Sequence, residues 1–179
     1  MKKNIIFLST LLSAATYCVD IIIPPDQTTS QILSDEGDTL TVEADGEVAV
    51  TGTYAILMNS TNQTVLNNGL IESDFTAIFD NGVGAANNVI TNNGNILTSG
   101  SNTRGMVAHS DGVVITNTNN ITTSGSHSMG IVTFGNSAII NNSGTINVMA
   151  FFSFGIENFG ANARVTNSGT ITTGGDTIS

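Results

Sequence analysis

Few side chains in this chain of 179 residues have the types and spacing to do chemistry. From Asn67 onward the acids are Glu72, Asp74, Asp80, Asp111, Glu157 and Asp176. Hydrolysis or elimination of a polysaccharide needs clustered carboxylates, commonly beside a basic residue or a calcium ion. Glu72 and Asp74 would share one face of a strand, but no acid recurs at the chain's 25-residue interval to stand beside them. That pair reads as a solvated edge. Asp35-Glu36-Gly37-Asp38 is acidic enough for calcium but lacks the ligand spacing of a calcium loop, and reads as a surface turn. His109 and His127 are out of step with the interval, so they cannot stack; His109 instead shares its column with Phe134 and Phe159, which points to packing. Arg104 shares a column with Met129 and Phe154, so its stem is expected to lie on apolar neighbours with its charge in water. Serines are frequent, yet no G-x-S-x-G accompanies a His and an Asp, and no phosphate-binding loop is present. Triplets such as Asn59-Ser60-Thr61 arise by composition in so Asn- and Thr-rich a chain. The reading is therefore non-enzymatic, with no catalytic, cofactor or metal site.

The element that positions these groups is a repeat. Asn67, Asn92, Asn117, Asn142 and Asn167 lie 25 apart, as do Ile71, Ile96, Ile121, Ile146 and Ile171. Val65, Ile90, Ile115, Ile140 and Val165 keep the same step, and so do Gly69, Gly94, Asn119, Gly144 and Gly169. A constant interval means a solenoid, in which every coil presents the same groups to its neighbour. Each copy reads apolar-x-Asn-x-Gly-x-Ile, and alternation with period two is a strand signal. Val, Ile and Thr fill the strand positions while Gly and Asn interrupt them. The fold class is all-β, a parallel β-helix with coils of about 25 residues. The Ile column is core. The Asn column is a structural ladder, since identical amides at the strand spacing can each donate to the next. The Gly column is expected to supply a positive φ at a sharp corner, with Asn119 the one substitution that rule admits.

The second half of each coil is looser. Gly105, Gly130 and Gly155 repeat, followed by Met106, Ile131 and Ile156. Thr76-Ala77-Ile78-Phe79 is displaced by three residues from that pattern, so a compensating insertion and deletion must sit in loops. Asp45-Gly46-Glu47-Val48 and Tyr54-Ala55-Ile56 form a degenerate copy 23 residues ahead of the first regular one.

At the N-terminus Lys2 and Lys3 precede an apolar run from Ile5 to Leu12 and the small residues Ser13-Ala14-Ala15. The run is too short to span a bilayer and reads as a secretory signal peptide, cleaved after Ala15 or after Cys18. A lipoprotein signal fits poorly, because Tyr17 stands where Gly, Ala or Ser is wanted. The net charge is −10, and outside the leader the basic residues are Arg104 and Arg164 alone. Nothing could neutralise phosphates, which excludes nucleic acid as a partner and argues against attachment to an anionic membrane. Eight of the fourteen acids fall between Asp20 and Glu47. The chain thus divides into a signal peptide over 1–18, an acidic leader or N-terminal cap over 19–44, and repeats over 45–179 that end in mid-coil. No stable membrane span is expected in the mature chain.

One feature invites an interaction. With Ile90, Ile115 and Ile140 facing inward, Val89, Val114 and Ile139 face outward on the same strand position, ahead of Arg164. Three stacked exposed aliphatics would make an apolar stripe, the mark of a partner or a covering loop.

Asn142-Ser143-Gly144-Thr145-Ile146 and Asn167-Ser168-Gly169-Thr170-Ile171, with the Cys-free coils and the leader, resemble the passenger domain of bacterial autotransporters. The resemblance covers Asp45 to the end. It implies a right-handed β-helix that is surface-exposed or secreted and adhesin-like, binding a host-surface protein or glycan. Such passengers are followed by a C-terminal translocator barrel, which this chain lacks, so the expectation is an N-terminal fragment of a longer chain, periplasmic if it is not. The alternative is a fragment of a carbohydrate-active β-helix enzyme whose catalytic coils lie elsewhere.

Overall fold

The computed structural model describes residues 18–82, 86–149 and 151–174. The expected signal peptide, Cys18 apart, lies outside them. Coil 1 carries β1 (Asp20–Ile23) and β2 (Gln31–Leu33). Coil 2 carries β3 (Thr39–Val42), β4 (Glu47–Val50) and β5 (Ile56–Met58), and coil 3 carries β6 (Thr64–Asn67), β7 (Leu70–Ser73) and β8 (Ile78–Asp80). Coil 4 consists of β9 (Val89–Asn92), β10 (Asn95–Thr98) and β11 (Arg104–Ala108). Coil 5 repeats this with β12 (Val114–Asn117), β13 (Asn120–Thr123) and β14 (Met129–Thr133). Coil 6 has β15 (Ile139–Asn142), β16 (Thr145–Val148) and β17 (Phe154–Asn158), and coil 7 opens with β18 (Arg164–Asn167) and β19 (Thr170–Thr173).

These strands stack into three parallel sheets. Sheet A runs β1-β3-β6-β9-β12-β15-β18, sheet B β4-β7-β10-β13-β16-β19, and sheet C β2-β5-β8-β11-β14-β17. Seven strands at the inter-strand spacing make a column about 29 Å tall. The core is the stack of inward side chains, whose unbroken columns are Val65, Ile90, Ile115 and Ile140 from sheet A and Ile71, Ile96, Ile121 and Ile146 from sheet B, all fully buried. Each such burial stabilises by roughly 1.5–3 kcal/mol. The 25-residue step holds in the register, where Ile115 pairs with Ile90 below and Ile140 above. The displaced copy fits as well, because Ile78 pairs with Met106 across a 28-residue step.

Two expectations need correction. Among the described residues the coils run from Asp20, not from Asp45: β1 pairs with β3 and β3 with β6, so the acidic stretch over 19–44 belongs to the stack. Apart from Asp20 on β1 its charges lie in the turns between strands, and all but the buried Asp38 leave the inward positions to core residues such as Ile23, Leu33 and Leu40. The Gly column also has another cause. Gly69, Gly94, Gly144 and Gly169 have no positive φ, and neither has Asn119. They are small because coils touch there: a Cβ on Gly94 would stand 2.1 Å from the Gly69 oxygen, and one on Gly169 2.0 Å from that of Gly144. Asn119 does carry a Cβ, and the bond its neighbour Asn120 donates to Gly94 stretches to 3.3 Å, against 2.8 Å for Asn95 to Gly69.

Positive φ occurs at the other two corners. Between sheets C and A it forms a full column, Gly37 (79°), Asn62 (55°), Asn87 (60°), Gly112 (67°), Ser137 (57°) and Asn162 (58°). This conformation turns the N–H upward, so that Asn87 donates to Asp111 O at 2.9 Å and Gly112 to Asn136 O at 2.8 Å in the next coil. Between sheets B and C the column is Asn102, His127 and Phe152.

Candidate interaction face

The polar groups resolve first. Asn67, Asn92, Asn117, Asn142 and Asn167 stand in line just inside the A-to-B corner, and each Nδ2 donates to the next Oδ1 at 2.7, 2.8, 2.7 and 2.6 Å. The ladder starts above Val42, which pairs with Asn67. The amides from Asn67 to Asn142 are occupied by their neighbours, and the exposed upper rung Asn167 donates to Gly169 O at 3.3 Å.

Asp38, from the acidic turn, is buried and accepts the N–H groups of Val19, Ser34 and Asp35. Those backbone donors take the lone pairs that a cation would need. Glu72 and Asp74 are exposed, and Asp74 accepts the Gly52 N–H. Asp80 is fully buried and accepts from Asn88 Nδ2 (3.0 Å), Gly82 N (3.1 Å), Ser110 N (3.2 Å) and the Ser110 hydroxyl. Burial pushes its pKa above the ordinary carboxyl value, against the pull of the hydrogen bonds from Asn88, Ser110 and Gly82 and of the nearby His109. His109 Nδ1 lies 3.1 Å from the main-chain oxygen of Asp80 and makes no relay to Ser110. This cluster braces the corner where the chain takes its three extra residues. Among the described residues no group of three His, Cys, Asp or Glu side chains could hold a metal ion.

The stripe Val89, Val114 and Ile139 is contiguous in sheet A between Thr64 and Arg164. All three are half-buried, and none is a large exposed apolar side chain. Large apolar side chains are exposed at the ends of the described stack, Val19, Ile22 and Ile32 at the lower and Val165 and Ile171 at the upper, and on sheet C and the corner leading into it. Phe134, Phe154 and Phe159 are exposed there, joined by Met149, Phe151 and Phe152, the last at 77 %.

Sheet C differs from its siblings in having a second apolar layer. Val107 and Val132 point outward in the middle of β11 and β14, yet they are only 3 % and 1 % exposed and lie apart from the central core. One flank is the column Arg104, Met129, Phe154. The other is a file of stacked rings: His109 to Phe134 at 4.6 Å and 4°, and Phe134 to Phe159 at 4.9 Å and 8°. Below His109 the file is broken by a tilted contact with Phe79 (5.3 Å, 59°), and Phe79 in turn stacks on Tyr54 at 4.4 Å. Where ring faces meet, from His109 to Phe159 and from Tyr54 to Phe79, the file offers edges outward. Two charged groups border this layer with atoms buried and unpartnered, Arg104 Nε in coil 4 and Glu157 Oε2 in coil 6.

The columns His109–Phe134–Phe159 and Arg104–Met129–Phe154 are readable at the 25-residue step. Tyr54 and Phe79 keep that step too, but it would align them with Arg104; the displaced copy instead pairs Phe79 with Val107 and sets it beside His109, which the interval does not show. Comparison with known proteins returns no match among family models, curated proteins or solved structures.

Proposed function

We propose that this chain is a non-enzymatic β-helical segment of an exported protein, adhesin-like and resembling an autotransporter passenger, that works by binding through sheet C. The observation that carries this reading is the one-sided aromatic face. Sheets A and B turn mostly Thr, Asn and half-buried aliphatic positions outward, whereas sheet C exposes phenylalanines over a second apolar layer. Exposed apolar patches of this kind mark interaction sites. Edge-on rings suit a protein surface better than a sugar, which stacks on a ring face. Among the described residues no helix is long and apolar enough to cross a membrane.

The test is an immunoblot of fractionated cells with antibody to the coils, before and after external protease. A protease-sensitive surface band well above 18.5 kDa is expected. A protected periplasmic band near the chain's own mass would overturn the surface-binding reading.

A further inference from the structure

The partner of sheet C is legible in the two charges that border it. Arg104 sits at the start of β11 in coil 4, where its Nη1 donates to Asn102 O at 3.3 Å and its Nε finds no acceptor. Glu157 sits in β17 in coil 6, directly above Val132, with Oε2 unpartnered. Both residues are half-buried, so each charge is partly stripped of water, and an opposite charge brought by a partner offsets that loss. The two residues stand one coil below and one coil above β14. A two-fold axis along β14 therefore carries coil 4 of one copy onto coil 6 of another. Their offset along the strand is three residues, about 10 Å, which two extended side chains span. The same axis sets Met129 against Met129 and Phe134 against Phe134, apolar on apolar, as an isologous interface requires.

We propose that the outer face of sheet C joins two copies of this chain with their solenoid axes antiparallel, Arg104 of each paired with Glu157 of the other. The inference rests on sheet C being the binding face, but not on export or on a host partner.

Sedimentation of the purified chain is expected to show a dimer. Arg104→Glu places two carboxylates in each contact and Glu157→Arg two guanidinium groups, so each variant alone is expected to be monomeric while its melting curve is unchanged. Mixed in equal amounts they are expected to dimerise, because every contact then joins opposite charges; the double variant R104E/E157R is expected to do so alone. Arg104→Gln and Glu157→Gln replace any reversal that does not fold, each weakening the dimer about tenfold. The proposal is overturned by a wild-type chain that stays monomeric up to about 100 µM, by reversals that dimerise as well as wild type, or by a mixture that does not. A monomer that sediments with phosphatidylcholine vesicles would assign the face to a lipid surface instead. A monomer still displayed on cells would overturn the dimer and leave the surface reading intact; a dimer confined to the periplasm would do the reverse.

Discussion

The A-to-B corner and the C-to-A corner do the same job by different means. At the first, side chains specify the turn: an unbroken amide ladder and a residue small enough for coils to touch. At the second, backbone conformation specifies it, through a column of positive φ filled by Gly, Asn and Ser in turn. Below this second corner the inward column is polar in the lower coils, with Asp38, Gln63 and Asn88, and apolar above, with Val113 and Ala138. A corner held by close contact accepts a larger side chain only where the coils part, as at Asn119, beside which the bond from Asn120 to Gly94 lengthens to 3.3 Å. A corner held by φ tolerates any residue that can adopt the left-handed region, each at its own small cost.

The sharpest way to break this contrast is a methyl group on each corner. Gly94→Ala places a Cβ 2.1 Å from a neighbouring carbonyl oxygen and is expected to cost about 3 kcal/mol or to split the stack. Gly112→Ala meets nothing closer than the Asn87 side chain at 3.0 Å, and is expected to cost only the left-handed strain of about 1–2 kcal/mol. Equal losses for the two in urea melts would erase the distinction. Asn117→Leu removes a rung with ladder bonds on both sides, leaves one N–H of the Asn92 amide and the Asn142 acceptor buried and unpaired, and is expected to cost about 2 kcal/mol.

Asp80 sharpens the comparison through pH. Its folded-state pKa is raised, chiefly by burial, so the native state holds the proton more tightly than the unfolded chain. Its contribution to stability is full below the ordinary carboxyl value and is lost as pH rises through the raised one. The stability of the wild type relative to Asp80→Asn is therefore expected to fall from acid to neutral pH; a difference constant across that range would remove burial as the controlling cause. The smallest effect expected is a gain. Ser137→Gly relieves a left-handed serine and should stabilise by about 1 kcal/mol, read as a higher urea midpoint. No gain would mean that the corner tolerates Ser without strain.

Sheets A and C give a parallel lesson about the binding face. In sheet A the alternation alone puts Val89, Val114 and Ile139 outward, and they do face outward, half-buried. Exposure depends on what the neighbouring columns do, and on sheet C the neighbours rise into a second layer over Val107 and Val132. That layer needs Phe79 to reach sideways between Tyr54 and His109, a contact across residues that no single interval connects.

What the sequence determined by itself is whatever repeats with period two inside period 25: strands, parallel register, the Ile core and the Asn ladder. In-register stacking makes each a contact between a residue and its own copy, so residue type and spacing suffice. The tertiary structure decided the rest. It set which corners use positive φ, because several residue types satisfy one dihedral angle. It showed that the glycines answer to a carbonyl oxygen 25 residues away in the chain. It also placed Asp20–Val42 within the stack and gathered the aromatic file on sheet C, since both depend on which side chains lie beside one another across different columns.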